Sequence, residues 1–544
     1  SEDLHLSYAR QLEEDIDAGD VRIWSAYETN IQADGPEHSS VAIDAWKNAA
    51  LQAKKRLAFD DAAACFGRAL ASFVEGPKSD PVARCRLMLK HADSLMLAGN
   101  IDAGHRNCSD AFRIAEAMQD ATLMTDAALT WGSSIVVASV DAGLIGALEA
   151  SLKALPTFDL ARRAKVQARL AAARQPARNP ERPMAMARQA ITMARSTGDD
   201  ELIYAVLRSA TSALMDFAPA GERIRLNGEF IELARKFSDT AGQFRGFLRM
   251  VIDASEVADR DLFDHSIEAC RQIADQIDLP HYQWRVASIR AMRATIEGRF
   301  ERALELIDKA QALAEEIDHV EAKVTLPLQR FTLLCEWDSP KTTPLPTILS
   351  ELETAYQSGL SQAEFFVTPL VTSLTIGEDD ERINQFLGNP GMIDRTFAGG
   401  DRFSMTVLGE LASCAGQKEL ARRVYDRLKD VSDECATTGL MGSSWCGPVA
   451  RSMGEILLRE SSLDGAAESL LKALTIAEKM QARPQVARCH ALLAEVEERR
   501  GNRIDTTGHS ESFDRLRRAL GLRERLGAPT GVNTDAVSYT HLTL

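Results

Sequence analysis

The chain is poor in aromatic residues, 6% of 544, and holds only 18 prolines. With 45% apolar content and few aromatics, a core must be built from alanine and leucine, which favour helix over strand. No apolar run approaches the ~20 residues that a membrane-spanning helix needs, and no secretory signal opens the chain. Positive charge is in deficit: 63 Lys and Arg against 79 Asp and Glu give a net charge of −16. That balance argues against nucleic acid as a direct partner, because such binding rests on cations neutralising phosphates. The most basic stretch, Arg162–Arg188, is broken by Pro176, Pro180 and Pro183 and reads as a solvated face and loop. The nine cysteines are odd in number, widely spaced and form no CxxC. They read as free thiols in a reducing, cytoplasmic setting.

Catalytic signatures are missing too. The dipeptide Gly-Lys does not occur, so there is no phosphate-cradling GxxxxGK[ST] loop, and GxGxxG, HExxH and GxSxG are absent. The histidines are scattered; His91, His105 and His490 read as packed or surface residues. The acid pairs Asp199–Asp200 and Asp379–Asp380 suit helix starts, where carboxylates meet the positive end of the dipole. Cys435 and Cys446 bracket a loop, with no second pair to complete a zinc site. Trp46, Trp131, Trp284 and Trp445 recur near the starts of first helices and read as filler between helices. No catalytic residue, metal ligand or cofactor is assigned.

What the chain does contain is a repeat. In Gly447–Met480, residues Met453, Gly454 and Leu457 share one helical face. After a turn at Ser461–Asp464, residues Ala466, Leu470 and Ala473 share a face of a second helix. Small residues at the crossing let two helices pack ridge into groove. Such a hairpin cannot bury its apolar faces alone and needs copies beside it. The small crossing residue of each first helix marks a series: Ala50, Ala92, Ile135, Ala171, Ala210, Val251, Ala291, Phe331, Leu370, Gly409, Gly454 and Ala494. The mean period is about 40 residues, in the range of helical-pair repeats. Ile135, Val251, Phe331 and Leu370 are placed by spacing alone. Seven residues past the mark lie Gly99, Gly298, Gly416 and Gly501, which suit the left-handed end of a helix. Twelve residues past it lie Ala62, Gly104, Ala147, Ala303, Ala421 and Ala466, the small sites of the second helix. In the first repeat, Trp46, Ala50, Ala62, Phe66 and Ala69 take tetratricopeptide spacing.

These regularities predict an all-α, right-handed α-solenoid of about twelve tetratricopeptide-like helix pairs. Residues 1–40 read as a helical lead-in from an upstream domain, with amphipathic stretches at Leu4–Ile16 and Val21–Ile31. Residues 41–340 form the first part of the array, 341–400 irregular repeats with long loops, and 401–528 the last repeats. Asp338–Pro346 and Gly388–Asp401 are the loops, read as surface insertions. Residues 529–544 lack an apolar stripe and read as a disordered, foreign tail. Six residues before successive marks stand Lys165, Tyr204, Arg245 and Arg285. On the concave wall of such an array they would form a row able to hold an acidic peptide, a carboxylate or a phosphate.

A resemblance follows from these segments. The run AWKNAALQAKKRLAFDDAAACFGRALASF at 45–73 resembles the first repeat after the ATPase module of large bacterial signalling proteins of the STAND type. PMAMARQAITMARSTGDDELIYAVL at 183–207 and WRVASIRAMRATIEGRFERALELIDKAQALAEEI at 284–317 are similar to mid-array segments there. VLGELASCAGQKELARRVYDRL, followed by GPVARSMGEILL, resembles the distal part; the likeness covers residues 41–528. In that family a nucleotide cyclase or another effector and an ATPase precede a helical-repeat sensor, or a LuxR-type, MalT-like DNA-binding unit follows it. This sequence contains no ATPase, cyclase or helix-turn-helix motif. The resemblance therefore implies a non-catalytic scaffold for a protein or peptide partner, or a small effector, regulating a linked ATPase. The LuxR/MalT-like branch and a free-standing peptide adaptor are the alternatives.

Overall fold

The computed structural model describes residues 39–522, apart from 57, 74–79, 134–139, 176, 178, 358–383, 385, 400–401 and 439–443. The lead-in up to residue 38, the tail, Ile135, Leu370 and Asp379–Asp380 lie outside the described residues. The fold is all-α, a solenoid of antiparallel helix pairs joined by short turns. The pairs are α1 (Ser39–Lys55) with α2 (Phe59–Ala71), α3 (Pro81–Leu97) with α4 (Ile101–Ala117), and α5 (Ala121–Trp131) with α6 (Ala142–Ala154). There follow α7 (Leu160–Ala173), α8 (Glu181–Arg195), α9 (Asp200–Leu214) and α10 (Ala220–Lys236), and then α11 (Thr240–Glu256) with α12 (Arg260–Ile277). Next come α13 (Pro280–Ile296) with α14 (Phe300–Glu316) and α15 (Ala322–Glu336) with α16 (Leu345–Gln357). Beyond α17 (Pro390–Gly399) stand α18 (Arg402–Cys414) with α19 (Lys418–Leu428), α20 (Val449–Arg459) with α21 (Leu463–Lys479), and α22 (Arg483–Arg500) with α23 (Arg503–Leu520).

Local chemistry sets these boundaries. Asp80, Asp120, Asp141, Asp159, Asp239 and Asp259 cap helices, each accepting a bond from an otherwise orphaned backbone N–H. Asp120 accepts from Thr122 and Leu123, both at 3.0 Å. Every mark among the described residues lies on a first helix, and Ala50, Ala92, Ala171, Ala210, Val251 and Ala291 are fully buried. A Cβ added to Gly104 would stand 2.9 Å from the carbonyl oxygen of Ala92, and one on Gly454 2.6 Å from Leu470. The crossings therefore leave no room for larger side chains.

Gly99, Gly298, Gly416 and Gly501 all hold positive φ, between 70° and 88°. Ser461, at the same offset from Gly454, has φ 63° without being glycine. A side chain in that conformation costs about 1 kcal/mol. No atom lies within 4 Å of a Cβ added to Gly416. Gly416→Ala should therefore lose about 1 kcal/mol in urea unfolding, and Ser461→Gly should gain ~0.5–1 kcal/mol. Equal shifts of one sign in both would contradict the assignment.

Three readings of loops are revised. Gly388–Asp401 contains the helix α17 rather than one long loop. Its Pro390-Gly391 pair looks like a turn, but proline fits the first helical position, where its missing N–H is not needed. Cys435 and Cys446 themselves lie on strands, β1 (Cys435–Thr438) and β2 (Ser444–Pro448), paired antiparallel as a hairpin. Trp445 accordingly lies on a strand and not at a helix start. Of the loop read over Asp338–Pro346, Asp338–Pro344 is free of helix, but Leu345 and Pro346 already open α16, where proline is tolerated in the first turn.

The chain divides into two compact units, one of residues up to 135 with Val140–Gln175 and Ala185–Ala213, the other of 136–139, 176–184 and the chain from Leu214 onward. The first buries Trp46 and Phe66 in its opening pair and Leu123, Leu148 and Leu170 farther along. The second does not run on as an open row of pairs. Its last repeats fold back on its middle ones. Ala487 of α22 and Leu520 and Leu522 share a core with Trp284, Phe300 and Trp337. Asp338 donates its backbone N–H to the carbonyl of Gly521 at 2.8 Å, and Arg260 donates to the carbonyl of Met480 at 2.8 Å.

Candidate functional site

In the second unit the first helices α11, α13 and α15 form one wall, and the hairpin β1–β2 lies against it. β1 touches α11 and α18, while β2 touches α13, α15, α20 and α21. The Trp445 indole donates from Nε1 to the carbonyl of Ser255, 3.2 Å away, at the end of α11. The hydroxyls of Ser255 and Thr437 meet at 3.3 Å. Met292, Thr295, Ile296, Gln329 and Thr332 line a shallow pocket beside Ser444 and Trp445. Gly447, with φ 104°, lets β2 approach α22: a Cβ there would stand 2.6 Å from the Gln485 amide oxygen. Thr438 and Ser444 clip the strands together, and Val449 donates its N–H to the carbonyl of Glu434 at 3.0 Å.

Ion pairs hold the foot of the hairpin. Arg402, at the start of α18, contacts Glu256 of α11 at 2.5 Å and also Glu434. Arg223 of α10 contacts Asp253 at 3.0 Å and also Glu256, and Asn227 donates to Asp253 at 2.7 Å. Arg223, Asp253 and Glu256 are each about 95% or more buried. Asp216 also bears on Arg223, and Arg249 on Asp253. Burial, with the Glu256 carboxylate nearby, pushes Asp253 up to about 6 and raises Glu434 as well. A second buried group stands between α18, α20 and α22. Arg451 contacts Glu410 at 2.6 Å and Glu455 at 3.5 Å. Burial and the neighbouring Glu410 carboxylate push Glu455 up to about 7.

The four row residues fall in separate places. Lys165, on α7, and Tyr204, on α9, belong to the first unit and are half-buried. The charges of Arg162, Arg86 and Lys165 all bear on the carboxylate of Asp126, so α3, α5 and α7 contribute to one charged group. Arg86 stands six residues before Ala92, the same offset as Lys165 before Ala171, and sequence reading passed it over. Arg245 and Arg285 belong to the second unit, where both charges bear on His281. Arg285 is paired with Glu321 and lies over the Trp284 ring, 4.1 Å from its centroid. His319 packs between His281 and Trp284, with ring centroids 5.0 Å and 4.7 Å away. Burial, with Arg285 and His281 nearby, pushes His319 down to about 3.

The thiols of this region are inert. Burial raises Cys435 and Cys446 far above the range in which a thiolate forms. Among the described residues no group of three or more His, Cys, Asp or Glu could hold a metal ion, and no helix is long and apolar enough to cross a membrane. Arg169, within the basic stretch, is buried rather than solvated.

No protein-family model and no curated protein sequence matches the chain. Solved structures do. The chain shares its fold with the APC/C hetero-tetramer Cut9-Hcn1. That likeness covers 94% of this chain and 93% of the other, at 12% identity and a TM-score of 0.52. A STAND protein with a tetratricopeptide repeat sensor, from Pyrococcus horikoshii, matches over 57% of this chain at 14% identity and a TM-score of 0.35. The match spans about half of that protein, 47%.

Proposed function

We propose that this chain is a non-catalytic repeat scaffold that binds a protein or peptide partner along its first-helix walls. In a longer cytoplasmic polypeptide it would serve as the regulatory region of a STAND-type signalling ATPase linked to a nucleotide cyclase. The observation that carries the scaffold reading is the register itself. Small crossing residues and left-handed helix ends recur through the array. Occupation of a wall would favour one curvature of the array and so shift the linked switch.

Lys165, Tyr204, Arg245 and Arg285 are the proposed wall positions, and Arg86 joins Lys165 in the first unit. The partner suited to Arg86 and Lys165 is an acidic peptide. Fluorescence anisotropy with a labelled poly-glutamate peptide should show saturable binding that Arg86→Glu with Lys165→Glu weakens about tenfold or more. Unchanged affinity in that pair would remove the site. The regulatory reading has its own test in the complete reading frame. An adjoining ATPase module whose hydrolysis rises when the repeats are deleted supports it. A frame encoding no ATPase overturns it and leaves the adaptor reading.

A further inference from the structure

We infer that the strand pair β1 (Cys435–Thr438) and β2 (Ser444–Pro448) is an internal ligand of the second unit, a docked element that an extended partner peptide carrying an indole replaces. The inference rests on reading the chain as a binding scaffold and adds what the α11–α13–α15 wall recognises. The hairpin interrupts the repeat between α19 and α20 and shares neither the small-residue marks nor the helical period. An isolated two-stranded hairpin is marginal in water, so this one is ordered by what it leans on. Its contacts are those of a bound peptide. One indole is anchored by a carbonyl at Ser255, one hydroxyl pair joins Thr437 to Ser255, and backbone approaches closely at Gly447. Aromatic anchors of this kind carry most of the energy in peptide recognition.

The docking also contains its own weakness. Arg402 is the link between the wall at Glu256 and the hairpin foot at Glu434, beside the buried Arg223–Asp253–Glu256 group. Desolvation offsets most of the attraction in buried ion pairs, so this contact opens before the helical core does. A partner with its own Trp, a Thr or Ser on the facing strand and an acidic residue at its foot reproduces each contact. It avoids the buried tether.

The experiment uses the full chain with Thr437–Cys446 replaced by a Gly/Ser linker of equal length, and a fluorescein-labelled peptide spanning Asp433–Pro448. The peptide is expected to bind the linker variant about tenfold or more tighter than the intact chain, and Trp445→Ala in the peptide should abolish the difference. Equal binding to both proteins, or to neither while the variant keeps its helical circular dichroism, overturns the inference. If the variant loses its helical signal, maleimide labelling of the intact chain decides. In Arg402→Ala, the hairpin thiol Cys435 should label several-fold faster while the buried helix thiols Cys270 and Cys489 stay protected. Labelling of all three together means global opening and defeats the docked-segment reading, as does unchanged protection of Cys435. Neither result bears on acidic-peptide binding in the first unit, so the two readings fail separately.

Discussion

Arg223→Ala is expected to destabilise the second unit by about 3–5 kcal/mol, because removing one member of a buried ion pair leaves its partners charged and unsolvated. The guanidinium is 3% exposed and stands against both Asp253 and Glu256. Asn227 can hydrogen-bond Asp253 but cannot neutralise it. Removing the guanidinium together with both its carboxylates should be milder: Arg223→Met with Asp253→Leu and Glu256→Gln leaves Arg402 held by Glu434 and should recover part of the loss, since matched apolar replacements of buried pairs are often neutral. Urea unfolding of the single and triple variants gives the answer. A single variant within ~1 kcal/mol of the parent would mean that water reaches the cluster.

The second large effect is a bell-shaped dependence of stability on pH. Asp253 is pushed from 3.8 to about 6 and Glu455 from 4.5 to about 7. Each is protonated in the fold where the unfolded chain is ionised. Their contribution is full below the ordinary carboxylate range and is lost as pH rises through about 6 and 7. His319 works in the other direction. Its value falls from 6.5 to about 3, so the fold excludes a proton that the unfolded chain accepts. Its contribution is full above 6.5 and is lost as pH falls toward 3. With one imidazole gaining and two carboxylates losing, melting temperature should therefore peak at pH ~4–4.5 and fall above it. Asp253→Asn with Glu455→Gln should flatten the alkaline limb, removing on the order of 2–3 kcal/mol of variation per carboxylate. His319→Gln should flatten the acid limb. Profiles that superimpose across the parent and these variants would show that other groups set the dependence.

The repeat could be read from the sequence because its cause is local. A helix pair crosses where side chains are small, and the chain leaves the helix where φ turns positive, so Gly104, Gly298 and Gly454 are constrained one pair at a time. The hairpin was legible in principle. Two β-prone runs, Cys435–Thr438 and Ser444–Cys446, flank a segment containing Gly439 and Gly442, a known hairpin signal. Its two cysteines drew attention to metal chemistry instead. The fold-back could not be read. It depends on pairings such as Arg488 with Glu336, 152 positions apart, and nothing in either neighbourhood encodes the other. The same holds for Arg285. Its offset from Ala291 predicts a direction, but only the tertiary arrangement puts Glu321 against it.

The return of α22 and α23 onto α13–α15 changes how the second unit comes apart. A linear array of repeats frays from its ends, because a terminal pair has one neighbour fewer. Here Leu520 and Leu522 are built into the same core as Trp284 and Phe300, so the terminal pair has neighbours on two sides. The unit should melt in one cooperative step with a steep denaturant slope. Cutting the chain between α21 and α22 should unravel the middle of the unit rather than shorten its end.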